Sequence, residues 1–207
     1  MFNTAEKKER SLGTKLFLKA TRCASPKCAS VRNPALPGAH GAKRRRAKSE
    51  VGEQIQEKQK FKATYGLREA AMRRVFKTAA KSAGVTGLTI AVLLERRLDN
   101  ALYRLGLAAS RSVARQLVNH GHILVNGRRV NISSYLVKLN DKISIRPQSK
   151  PNLNFKDLAE NIKKYEPPVW LAIDKEKLEG TVKSLPKDFE VPFNIDKVVD
   201  FYAKMVK

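Results

Sequence analysis

The stretch from Arg96 to Arg146 constrains this chain more than any other, because two helix signatures run directly into hairpin chemistry. Leu98, Ala101, Leu102 and Leu105 recur at helical spacing and predict one apolar stripe, with Arg97 and Arg104 on its flank. Gly106 closes that helix, and Ser110 is placed to cap a second by accepting a first-turn backbone N–H. On the second helix Arg111, Arg115 and Asn119 line one face and Ala114, Leu117 and Val118 the other, up to a stop at Gly121. His122 to Val125, Asn126-Gly127 and Arg128 to Val130 then read as a strand, a type I′ turn and a return strand, since that turn needs positive φ at both central residues. Ile143 and Ile145, alternating with Ser144 and Arg146, predict a later strand. The expected fold class is α+β: two helices packed on a small sheet, inserted into a mainly helical chain.

The charge on this unit is of one kind. From Arg96 to Arg129 there are seven arginines, no lysine and a single acid, Asp99. Arginine presents a flat fork of donors that fits phosphate bidentately and stacks on bases, whereas lysine is a hydrated point charge. A surface kept merely soluble would mix its signs. The whole chain carries +23, and that excess falls as +10 on residues 1–50, +5 on 51–100, +8 on 101–150 and zero on 151–207. A polyanionic partner is therefore expected, gripped by everything except the last quarter. On the module the candidate RNA contacts are Arg97, Arg104, Ser110, Arg111, Arg115, Gln116, His120, His122, Asn126, Arg128 and Arg129.

These residues also carry a resemblance. RLD, then Tyr103-Arg104, SRxxARQLVxHGHIxVNGRRV and SxxY resemble the RNA-binding module named after the fourth protein of the small ribosomal subunit. Some pseudouridine synthases, methyltransferases, bacterial tyrosyl-tRNA synthetases and a heat-shock recycling protein share that module, so the flanks must decide among them. The run EKQKFKATYGLREAAMRR resembles a segment of the ribosomal proteins that those enzymes lack, and the C-terminal VPFNIDKVVDFYAKM resembles their closing helix. The resemblance implies a structural constituent of the small subunit that binds ribosomal RNA directly, acts early in assembly on its five-prime domain, supports decoding accuracy, and resides on cytoplasmic ribosomes. It further implies contact with the fifth small-subunit protein and a place near where mRNA enters, with no membrane role and no homo-oligomer. The alternative is a non-ribosomal RNA-binding factor, concerned with recycling or RNA modification, that uses the same module. An RNA-modifying enzyme would need a catalytic domain of ~150 residues, which neither flank supplies.

Residues 1–49 read as a basic arm, with Lys43, Arg44, Arg45, Arg46 and Lys48 clustered after three prolines. Residues 50–95 read as a helical domain. Val51, Ile55, Lys58 and Lys62 recur along its first helix, and Met72, Val75, Phe76 and Ala79 form a buried stripe on its second. Lys58, Lys62, Arg73, Arg74 and Lys77 are its candidate phosphate contacts, Arg73, Lys77 and Lys81 lying four apart on one face. Residues 96–150 are the module. Residues 151–207 are expected to hold a helix over 155–164, strands near 169–174 and 178–182, and an apolar-faced final helix. All of that segment is expected to pack back on the helical domain, with 175–207 completing it and Trp170 in a core.

No catalytic constellation stands out. His40, His120 and His122 are not spaced to serve a nucleophile, and no GxGxxG, GxxxxGK[ST] or HExxH occurs. Glu95 and Asp99, four apart on a helix, are read as ion pairing or capping. The apolar runs at Ile90 to Leu94 and Val169 to Ile173 fall far short of the ~20 residues of a membrane span. Cys23 and Cys28, in CASPKC, are too few to staple a fold and point to a reducing compartment. RCASPKCA followed by PALPGAHGAKRRR resembles the N-terminal region of family members that hold zinc through two cysteine pairs, and the earlier pair falls here at Glu6 and Glu9. Cofactors are accordingly expected to be none, with a partial zinc site at Cys23 and Cys28 as the lesser alternative.

Overall fold

The computed structural model describes residues 4–19, 22, 23, 25–41, 47–149, 158, 162, 165–187 and 193–205. The chain forms two compact units, residues 1–90 with 190–207 and residues 91–189.

In the first unit α1 (Thr4–Leu12) and the short α2 (Ala29–Arg32) precede α3 (Glu50–Tyr65), α4 (Glu69–Ala80) and, at the far end of the chain, α8 (Ile195–Met205), while α5 (Thr86–Glu95) begins in this unit and ends in the second. Ser49 caps α3 through Gly52 N, and Gly66 ends it at φ +60°, where its N–H reaches the carbonyls of Lys62 and Ala63. The face α3 buries is Gln54, Lys58, Phe61, Thr64 and Tyr65, while Val51 and Ile55 are exposed. Lys58 can be buried because it sits 3.6 Å from Glu69 and 4.1 Å over the Phe201 ring, so its long stem covers core while its ammonium stays paired. Phe193 packs edge-on to Phe61 at 4.7 Å and Tyr202 against Phe76 at 5.3 Å, so α8 closes the core of α3 and α4. Glu69 anchors this closure by accepting from Tyr202 Oη at 2.8 Å and from Lys62 Nζ at 2.7 Å. Burial alone would raise the Glu69 carboxyl, but those hydrogen bonds and the nearby lysines outweigh it and hold it below the usual carboxylate range.

Residues 1–49 differ from the expected arm. Their described part is folded, with Leu16, Cys23 and Cys28 buried and Gln56 Nε2 of α3 donating to Leu12 O at 2.8 Å. The physical reason is a small buried centre built by Glu6, Glu9 and the two cysteines, which periodicity alone does not display.

In the second unit α6 (Leu98–Arg104) and α7 (Arg111–Asn119) cover an antiparallel sheet of β1 (Ile123–Val125), β2 (Arg128–Arg129), β3 (Lys142–Ile145), β4 (Leu171–Asp174) and β5 (Glu179–Val182), in the order β2-β1-β3-β5-β4. The β1–β2 turn carries φ +50° at Asn126 and +77° at Gly127, as its type requires. The expectation that 151–207 packs wholly on the helical domain is corrected here: β5 pairs with β3 through Ile143↔Gly180, and Trp170, Leu171 and Val182 belong to the module's core. A β3 edge left unpaired would expose a row of backbone donors and acceptors, and the β4–β5 hairpin removes it. Of the helix expected over 155–164, only residues 158 and 162 are described; both are helical, and both Leu158 and Ile162 are buried in the same core.

Gly180 shows how closely β5 meets the residue that caps the C-terminal end of α6. A Cβ built there would lie 2.3 Å from Leu105 Cδ1, and Leu105 is itself fully buried. Gly180→Ala is therefore expected to cost about 1–3 kcal/mol by overpacking, read as a lowered urea midpoint with unchanged slope.

Candidate nucleic-acid interface

The module's arginines do not stand alone on its surface. Two buried acids organise them. Glu95 is 0% and Asp99 2% exposed. Asp99 accepts from Arg97 Nε and Nη2 at 3.0 and 2.8 Å and from Arg115 Nε and Nη2 at 3.0 and 2.6 Å. Glu95 accepts from Arg104 Nε and Nη2 at 3.0 and 3.2 Å and from Asn100 Nδ2 at 2.9 Å. Asn100 Oδ1 in turn receives Arg111 Nε at 2.7 Å, and the Arg111 guanidinium lies 4.5 Å over the Tyr103 ring. A carboxylate buried at the root of a guanidinium fixes the plane of that fork, so the array is held rigid before any ligand arrives.

This arrangement changes the surroundings expected for several of the candidate contacts. Arg97, Arg104, Arg111 and Arg115, the candidate RNA contacts of the two helices, are not loose surface charges: all are partly buried and bonded to acids or to Asn100. Tertiary folding set Glu95, Asp99 and Asn100 beneath them, and a sequence pattern cannot display that. Ser110 is buried and committed to the α7 cap, accepting from Val113 N at 3.3 Å. The Asn126 side chain is tied into the fold at both ends, donating to Asp141 at 2.8 Å and accepting from Lys142 N at 2.9 Å. His122 is partly buried with Nδ1 2.9 Å from Ser149 Oγ, its ring parallel to that of exposed His120 at 6.0 Å. Gln116, His120, Arg128 and Arg129 are exposed, and Arg129 lies across Gly121, where a Cβ would come within 2.0 Å of its Nε.

In the first unit α4 buries Met72, Phe76 and Ala79 and turns Arg73, Arg74 and Lys77 to solvent, with Lys81 exposed at its C-cap. Lys58 and Lys62, also expected to meet phosphate, instead pair with Glu69. Lys43, Arg44, Arg45 and Arg46 lie outside the described residues. Sequence reasoning missed a second basic feature, a cleft of about 370 Å³ lined by Arg22, Lys27, Ala29, Arg32 and Asn33. Its cations are spread over eleven positions without helical spacing, so no periodic signal marks them.

The cysteines test the zinc alternative. Glu9, Cys23 and Cys28 are buried with donor atoms within 4.8 Å of one another, and among the described residues this cluster stops at three. A closed structural zinc site wants four donors. Glu6, which the resemblance sets at the position of a family cysteine, is paired with Arg22 at 2.7 Å. Glu9 Oε1 already accepts from Leu16 N and Leu18 N, and the Cys23 thiol lies 3.5 Å from Oε2. Burial and the neighbouring Glu9 carboxylate push that thiol up to about 11. The residues thus do not fit a closed zinc site.

Two adjoining family models match the chain: Ribosomal protein S4/S9 N-terminal domain over residues 3–95 and S4 domain over residues 96–143. The small ribosomal subunit protein uS4 of Syntrophomonas wolfei is 45% identical over 197 residues, 94% of both chains. That of Halothermothrix orenii is 48% identical and that of Pelotomaculum thermopropionicum 47%, each over 94% of both chains. An arginine array rooted in buried acids and a cationic helix face agree with 45–48% identity over 94% of each chain, and the chain belongs to the family of small ribosomal subunit protein uS4.

Proposed function

We propose that this protein is a structural constituent of the small ribosomal subunit that binds ribosomal RNA directly and makes or breaks no bonds. The observation that carries this reading is the pre-set arginine array of α6 and α7, with Glu95 and Asp99 at its root. An array fixed before binding forfeits little side-chain freedom on meeting phosphate, which suits a permanent clasp on folded RNA. Arg73, Arg74 and Lys77 supply a second, exposed phosphate contact, and Arg128 and Arg129 a third. The arm residues Lys43 to Arg46 are assigned the same role on charge alone.

The finer reading is early binding to the five-prime domain of small-subunit RNA, contact with the fifth small-subunit protein, a place near incoming mRNA and a part in translational accuracy, on cytoplasmic ribosomes. The family membership and the RNA-suited surface support its coarse part, and the finer part rests on the resemblance. No helix among the described residues is long and apolar enough to cross a membrane. The deciding experiment is a salt wash: the protein is expected to cosediment with small subunits through a wash that strips loosely held factors. Its release while other direct RNA binders stay would return the recycling-factor alternative.

No cofactor is assigned. Purified protein is expected to carry well below one zinc per chain by elemental analysis, because Glu9 is spent on two backbone amides and a thiol. Stoichiometric zinc that survives dialysis would overturn this.

A further inference from the structure

The segment after α1 holds an uncommon conformation whose visible product is an exposed aromatic ring. Glu9 Oε1 accepts the N–H of Leu16 at 3.1 Å and of Leu18 at 2.9 Å. Two amides two residues apart converge on one oxygen here because the residue between them turns back, and Phe17 does so at φ +53°. Bulky side chains rarely adopt that left-handed region, while glycine or asparagine take it readily. Leu16 turns inward at 3% exposure, and Phe17 is left 49% exposed. A fold that anchors both neighbours of a phenyl group and raises the ring into solvent is not using that ring as core, and strain of this kind gathers at binding positions.

The surroundings are cationic. The Lys15 ammonium lies 4.9 Å from the centre of the Phe17 ring, and Lys7, Lys8 and Lys19 are exposed nearby in sequence. The acids of this segment, Glu6 and Glu9, are buried. We propose that Phe17 is a stacking platform for an unpaired RNA base, with Lys15 serving the adjoining phosphate. Every base has a π face, and an aromatic ring beside a cation is how single-stranded or looped RNA is gripped. The proposal rests on the ribosomal-RNA reading and adds to it a base contact on a residue outside the basic surfaces described above.

The test uses the full chain and a transcript of the five-prime domain of small-subunit RNA. Phe17→Leu and Phe17→Gly are expected to weaken binding roughly 5- to 100-fold, the range for one lost stack. Phe17→Trp should bind as wild type and show indole emission quenched by RNA, read as the difference from wild type because Trp170 is buried. Phe17→Gly should also melt at or above the wild-type temperature, since glycine suits φ +53°. A Leu variant that binds like wild type, or a Gly variant that melts markedly earlier, would make Phe17 a packing residue and overturn the proposal while leaving the ribosomal-RNA reading intact. Unchanged RNA affinity with loss of a neighbouring protein from reconstituted subunits would assign the ring to a protein contact and overturn it equally. A wild-type chain that fails to bind the transcript would remove both readings together.

Discussion

Asp99→Ala is expected to destabilise the second unit by about 3–5 kcal/mol, the range for removing one partner from a buried ion cluster. Asp99 is the common acceptor of Arg97 and Arg115, each through Nε and Nη2, and it is almost wholly buried. Its loss leaves two guanidinium groups beside each other with no intervening negative charge, so repulsion adds to the lost hydrogen bonds. Urea unfolding followed by circular dichroism is the measurement, and a change below about 1 kcal/mol would mean that the pairs are replaced by water at little cost. The same geometry changes what Arg111→Glu with Arg115→Glu would do. From sequence, that double variant should weaken RNA binding with its dichroism unaltered. With Arg115 2.6 Å from Asp99, the new glutamate meets a buried carboxylate, and the melt is expected to fall along with affinity.

The clean test of electrostatic binding therefore moves to α4. Arg73→Glu, Arg74→Glu and Lys77→Glu together are expected to lower affinity for the five-prime-domain transcript by roughly 100-fold or more near 0.1 M salt. The logarithmic salt dependence should become shallower by about two to three, one step of ~0.7–0.9 for each phosphate no longer neutralised. These side chains are exposed and lie on the face of α4 opposite buried Met72, Phe76 and Ala79, so the melting temperature should hold. Affinity within about threefold of wild type would remove this face from the interface and leave the module to carry binding by itself.

Much of the site's location was legible in the chain. The cap at Ser110, the stop at Gly121 and the turn at Asn126-Gly127 are local chemistry, decided by which residues tolerate a given φ or offer a given acceptor, and each stands where its residue type requires. The α4 stripe was readable because Met72, Phe76 and Ala79 recur with the helical period. The role of the arginines was readable only in part. Arg97, Arg104, Arg111 and Arg115 look alike as a one-signed charge run, and nothing in spacing tells a guanidinium rooted in a buried carboxylate from one held in water. Asn100 was missed, although the polar run Asp99-Asn100 inside the Leu98, Leu102 stripe marks a polar spot that the fold buries.

The amino-acid order by itself determined the local elements, the one-sided charge and the family signature, because these depend on residue type and on neighbours within a few positions. Only tertiary structure decided that β4 and β5 complete the module's sheet, that Lys58 serves a core, and that Glu95, Asp99 and Glu9 each draw distant donors to one point. Strand partnership and burial of charge are settled by which far-apart segments must share hydrogen bonds once water is excluded, and that competition is resolved among all segments at once rather than along the chain.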